Sequence, residues 1–249
     1  MSGHSKWSTI KRKKGALNAK KGKVFSKLAK EITVAAKIGG GDPGGNPRLR
    51  TVLNAARAAN MPKDNVEKAI MKGTGELPGV TYEELRYEGY GPVGVAVIVD
   101  LLTDNKNRTV SEIRHIFAKN SGSLAENGAV TWNFEQRGFM TVPAAACSED
   151  QIFEKAIEAG ADDVRTEGDT YEIYTSPQDL HTVVGALEQM GLAPAEAALT
   201  MVPKTTIKVE GRTATAVLRL IEALEENDHV QDVFSNFDMS EEEMAAMAE

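Results

Sequence analysis

Lys20, Lys23, Lys27, Lys30 and Lys37 are spaced three, four, three and seven residues apart, the intervals that keep side chains on one face of an α-helix. Lys11, Arg12, Lys13 and Lys14 form a run just upstream, with Lys6 before it and Lys21 beside the stripe. Residues 1–30 hold ten bases and no acid. A solvated helix face normally mixes signs, because like charges at i, i+4 repel by a few tenths of a kcal/mol per pair. An all-positive stripe therefore predicts a polyanion, and phosphates first. Trp7 sits among these charges and could stack on a base, which is worth about 1–3 kcal/mol, while His4 could assist with phosphate. The candidate nucleic-acid-binding residues are thus His4, Lys6, Trp7, Lys11, Arg12, Lys13, Lys14, Lys20, Lys21, Lys23, Lys27 and Lys30. Lysine outnumbers arginine among them and lacks the guanidinium fork that reads guanine, so backbone or shape recognition is expected rather than a base code. Gly15 and Gly22 loosen the arm and allow it to order on binding.

Other constellations are weaker. Gly39-Gly40-Gly41-Asp42-Pro43-Gly44 and Gly89-Tyr90-Gly91-Pro92-Val93-Gly94 fit the dinucleotide glycine pattern, but neither has a strand before it and a helix after it. Both read as turns. His4, His115, His181 and His229 have no i, i+4 pairing, and the single cysteine, Cys147, excludes paired-cysteine zinc sites and an internal disulfide. Glu83, Glu84 and Glu88 read as solvated strand positions, and Asp104 to Arg108 as a turn with a helix cap. No catalytic residue, metal or cofactor is expected, and the protein is expected not to be an enzyme.

The elements that must position the stripe follow from periodicity. The 249 residues, 41% apolar and 26% charged, are enough for two or three domains. Residues 1–78 carry 17 Lys+Arg against 5 Asp+Glu, and residues 79–249 carry 12 against 31: a basic head on an acidic body. The stripe helix turns Val24, Phe25, Leu28, Ile32, Ala35 and Ala36 to its other face and stops at Gly39-Gly40-Gly41; a second helix opens with Asn46 as N-cap and Pro47, and a third starts at Pro62. Strands are predicted over Tyr82–Glu88, Val95–Leu101 and Ala129–Glu135, with a helix over Arg108–Lys119 and a break at Gly138. Residues 139–202 then read β-α-β-β-α-β, with helix starts capped by Ser148 with Gln151 and by Ser176 with Asp179. A helix near Thr213–Glu226 and a strand over Val230–Phe237 are expected to complete the earlier sheet. The fold class is α+β: an N-terminal three-helix bundle followed by two α/β domains, the second ferredoxin-like and inserted in the first. The domains are 1–78, 79–136 with 204–249, and 137–203. No apolar run approaches the roughly 20 residues of a membrane span, and the basic start lacks a signal peptide's apolar region. A cytoplasmic protein is expected.

Gly3-His4-Ser5-Lys6-Trp7, Gly39 to Pro43 with Asn46-Pro47-Arg48-Leu49-Arg50, residues 59–65 (ANMPKDN), 86–92 (RYEGYGP), 102–109 (LTDNKNRT), 114–117 (RHIF) and 235–238 (SNFD) resemble the YebC family from end to end. Asn18 stands where many members carry an acid and Lys21 where arginine is frequent, while Gly44-Gly45 lengthens a loop. The resemblance implies the three-domain architecture, no cofactor and no catalytic residues. Bacterial members are described as DNA-binding transcriptional regulators and as ribosome-associated factors that relieve stalling; mitochondrial members activate translation. It implies a non-enzymatic, nucleic-acid-binding regulator of gene expression, with ribosomal RNA as the alternative target to DNA. The residues also admit a module whose acidic domains dock a basic protein partner, and no small-molecule substrate or membrane is expected.

Overall fold

The structure, a computed structural model, describes residues 21–240 and residue 243. Its elements run α1 (Lys21–Gly39), α2 (Pro47–Ala58), α3 (Lys63–Thr74), β1 (Glu83–Tyr90), β2 (Ala96–Thr103), α4 (Lys106–Lys119), β3 (Ser123–Leu124) and β4 (Phe134–Pro143). They continue α5 (Glu149–Glu158), β5 (Asp163–Glu167), β6 (Thr170–Thr175), α6 (Leu180–Gln189), β7 (Glu196–Pro203), β8 (Ile207–Lys208), α7 (Gly211–Glu225), β9 (Val230–Ser235) and β10 (Phe237–Asp238). The chain divides into two compact units. One holds the described residues up to Asn133 and from Pro203 onward, the other Phe134–Val202.

In the first unit, α1, α2 and α3 close around Ile32, Ala35, Leu49, Val52, Ala56 and Ala69. Asn46 makes the joint between α1 and α2: its Oδ1 accepts from Leu49 N at 3.0 Å, capping α2, and its Nδ2 donates to Ala35 O and Gly40 O, both at 2.8 Å. Helices α1 and α3 approach closely because Gly73 has no side chain; a Cβ there would stand 2.4 Å from Thr33 O. The sheet order is β3-β1-β2-β9, with every pair antiparallel. Strand β9 thus returns from the end of the chain to pair with β2, and α4 and α7 cover one face over Val97, Val99, Ile113, Phe117, Leu220 and Ile221.

The second unit has the strand order β5-β6-β4-β7, the ferredoxin-like arrangement. Ser148 and Gln151 form the reciprocal cap of α5. Three expectations are corrected. The break at Gly138 is absent, for β4 runs through it and pairs Gly138 with Thr175; glycine is required because a Cβ would meet Thr175 Oγ1 at 2.1 Å. Helix α6 begins at Leu180 rather than directly after Ser176, since Ser176 and Asp179 bond each other in a turn ahead of it. Residues 129–133 form a loop and a single 3-10 turn instead of a strand.

Candidate nucleic-acid interface

Of the twelve expected contact residues, His4, Lys6, Trp7, Lys11, Arg12, Lys13, Lys14 and Lys20 lie outside the described residues, as does the side chain of Lys21. Lys23, Lys27 and Lys30 lie on α1, and the structure gives each a partner within the chain. Lys23 Nζ donates to Glu226 O at 3.1 Å and stands 3.8 Å from Asp228 Oδ1. Lys27 Nζ donates to Glu225 O at 2.8 Å, and Lys30 Nζ to Asp228 O at 2.7 Å. These carbonyls lie at and just beyond the C-terminus of α7, where the last turn has no intrahelical donors left and the helix dipole is negative. Two ammonium groups of the stripe, those of Lys23 and Lys27, therefore cap a helix, and that of Lys30 holds the turn just after it. Lys30 is half-buried; burial lowers its pKa, with Asp228 and Asp104 opposing the shift and Arg108 adding to it, and its ammonium lies 5.8 Å from the Tyr82 ring centroid.

Other cations of the bundle face solvent. Lys37, Arg57, Lys68 and Lys72 are exposed, and none has a carboxylate at ion-pair distance among the described residues. Lys37 and Lys72, from α1 and α3, line one cleft of about 260 Å³ with Gly73 and Gly75. Only Lys37 among them was anticipated, as part of the stripe. Arg57 lies on α2, Lys68 and Lys72 are one turn apart on α3, and the packing of α1 against α3 is what brings Lys37 and Lys72 to one cleft.

On the sheet face turned toward the bundle, a cavity of about 310 Å³ is lined by Glu31, Arg48, Glu84, Arg86, Asp100 and Asp232. Arg86 holds Asp100 through two bonds of 2.6 Å, and Arg48 bridges Glu84 and Glu31. The register sets Asp100 directly opposite Asp232, two like charges on neighbouring strands. Burial, Glu31 and Asp100 push the Asp232 carboxyl up to about 7, Lys27 opposing and Glu225 reinforcing. Burial likewise raises Glu31, against the pull of Arg48. Four carboxylates against two guanidiniums leave this cavity hostile to phosphate. Its one legible sign is Asp100, which interrupts the apolar run of β2.

Glu88, expected on a solvated strand position, is instead 4% exposed. Its carboxylate accepts from Gly128 N and Val130 N, both at 2.7 Å, and from Thr131 N at 2.9 Å. Burial works against its charge, but the donors of Thr131, Gly128 and Val130 outweigh it and hold the pKa below the usual carboxylate range. Asn105 caps α4 by accepting from Arg108 N at 3.0 Å, and Arg108 pairs with Asp104 at 3.1 Å; this loop is a turn and a cap. Among the described residues no group of three or more His, Cys, Asp or Glu is placed to hold a metal ion, and no helix is long and apolar enough to cross a membrane.

Comparison with known proteins covers nearly the whole chain. Residues 5–76 match the family described as "TACO1/YebC protein N-terminal domain", and residues 82–237 match "TACO1/YebC second and third domain". A protein of Citrifermentans bemidjiense named "Probable transcriptional regulatory protein" is 56% identical over 99% of this chain and 100% of its own length. One of the same name from Acidithiobacillus ferrooxidans is 56% identical over 99% of this chain and 98% of its own. The crystal structure of a conserved hypothetical protein, Aq1575, from Aquifex aeolicus superposes with a TM-score of 0.84 at 48% identity, covering 90% of this chain and 93% of that one.

Proposed function

The chain belongs to the TACO1/YebC family, and from that premise we propose that it is a non-enzymatic, cytoplasmic regulator of gene expression that binds DNA through its basic N-terminal region. The observation that carries this reading is the segregation of charge: 17 bases against 5 acids in residues 1–78, within the segment matched to the family's N-terminal domain. Relatives over the full length bear the name of transcriptional regulators. The arm from His4 to Lys21 and the exposed Lys37, Arg57, Lys68 and Lys72 meet phosphates; Lys23, Lys27 and Lys30 hold the helix that carries the arm against α7. Each ammonium that replaces a condensed counterion contributes to affinity without reading sequence. The acidic remainder repels the polyanion, so the complex forms with that part facing away or facing a basic protein.

Ribosomal RNA presents the same phosphates, and a lysine-rich surface does not distinguish it from DNA. Gel shifts with promoter DNA, run beside ribosome-profile fractionation of cells at two salt concentrations, separate the two. Promoter binding lost on reversing Lys68 and Lys72 to Glu supports the transcriptional form. Co-sedimentation with ribosomes in the absence of promoter binding replaces it with the translational one.

A further inference from the structure

Away from the lysine surface, the loop ahead of β4 presents an indole to solvent. Trp132 is 68% exposed, although the ring is not loose: its Nε1 donates to Ala129 O at 2.9 Å. Tyr90, at the end of β1, donates its hydroxyl to the same carbonyl at 3.0 Å and is 38% exposed. The polar handles of both rings are thereby spent inside the chain, and what they leave exposed is aromatic carbon. The loop is fixed from beneath by the buried Glu88 carboxylate through its three backbone N–H bonds. It is fixed from the side by Asn133, 3% exposed, whose amide bonds Thr205. That second tie brings Lys204 to the same loop, its Nζ donating to the backbone carbonyl of Trp132 at 3.1 Å, with no carboxylate at ion-pair distance among the described residues.

A rigid, exposed aromatic face next to an unneutralised ammonium fits a nucleotide: a base stacks on the ring while the ammonium meets its phosphate. A protein partner would call for a wider apolar patch around the anchor, and besides Trp132 and Tyr90 residues 86–133 expose only one large apolar side chain, Val93. The geometry points to a single-stranded nucleic-acid segment as the occupant of this platform, with one base on Trp132, Tyr90 flanking it, and Lys204 on the phosphate. This rests on the reading that the protein binds nucleic acid. It adds a second contact, selective for unpaired bases, to a lysine surface that is blind to strandedness.

The test uses the full chain labelled with 5-fluorotryptophan, whose two indoles, Trp7 and Trp132, are assigned by the resonance lost in Trp132→Phe. Adding oligo(dT) is expected to shift the Trp132 resonance. Trp132→Ala should weaken oligo(dT) binding about tenfold with the salt slope unchanged, leave duplex binding within about twofold, and be largely rescued by Trp132→Phe. Lys204→Ala should reduce the single-strand salt slope by about 0.7. Oligo(dT) binding with Trp132 unmoved and Trp132→Ala at full affinity overturns the platform alone. Absence of binding to oligo(dT) and duplex overturns both this inference and the regulator reading. A Trp132 shift that follows protein concentration without oligonucleotide overturns the platform in favour of contact between two copies.

Discussion

Single residues show what a carboxylate costs or contributes according to the donors around it. Glu88 is buried and charged because three backbone N–H groups converge on it; Asp232 faces Asp100 and Glu31 with no such donors, and its pKa rises to about 7. The folded state therefore takes up a proton at Asp232 that the unfolded chain, near 3.8, releases sooner. Stability from this group is full below about pH 4 and is lost as pH rises to about 7. Asp232 is exposed at the cavity, so solvent screening reduces the effect to about 1 kcal/mol from a full linkage value of roughly 4 kcal/mol. Asp232→Asn should accordingly raise the urea midpoint at pH 8 and change it little at pH 4. An equal gain at both pH values would show that titration is not the cause. Neither environment was legible in sequence, where Glu88 and Asp232 are only polar residues on strands.

At the level of elements, local signals were readable and distant ones were not. Asn46, Ser148 and Gln151 mark helix starts because their bonds close within three residues, and Pro47 because its fixed φ suits the first turn. The periodicity of the lysine stripe was equally plain, but its caps on α7 lie about 200 residues away, beyond the reach of any local pattern. Residues 129–135 alternate as a strand should, yet Glu88 takes the N–H groups of Val130 and Thr131 that a ladder would need. The exposure of Trp132 follows from that clamp and left no mark of its own in the sequence. Lys27→Met keeps the aliphatic stem and removes the cap; a loss of about 1 kcal/mol in thermal denaturation is expected, with Lys27→Arg close to wild type. Unchanged stability in Lys27→Met would mean that the carbonyls of α7 are equally well served by water. Charge reversal at Lys23, Lys27 or Lys30 thus perturbs folding as well as binding, and Lys68 and Lys72 are the cleaner probes of phosphate contact.

For the whole molecule, net charge is a poor guide, since −7 conceals a strongly basic head. Affinity should track that head. With about six phosphates neutralised, log affinity for duplex DNA should fall against log salt with a slope of roughly −5, and a slope near zero in a salt titration of the gel shift would remove the electrostatic basis of binding. Where the chain leaves the first unit and where it returns, Lys204 N donates to Asn133 O at 2.7 Å, and Thr205 is held by both Asn133 and Asn236. Two backbone ends so nearly touching amount to a ready splice point: removing residues 134–202 and closing the gap with a short glycine bridge should leave a cooperatively melting remainder, as loop closure over so small a span costs little entropy. A single cooperative melt of that remainder would make the ferredoxin-like piece an exchangeable cassette, whereas a remainder that no longer melts cooperatively would show that the frame depends on it.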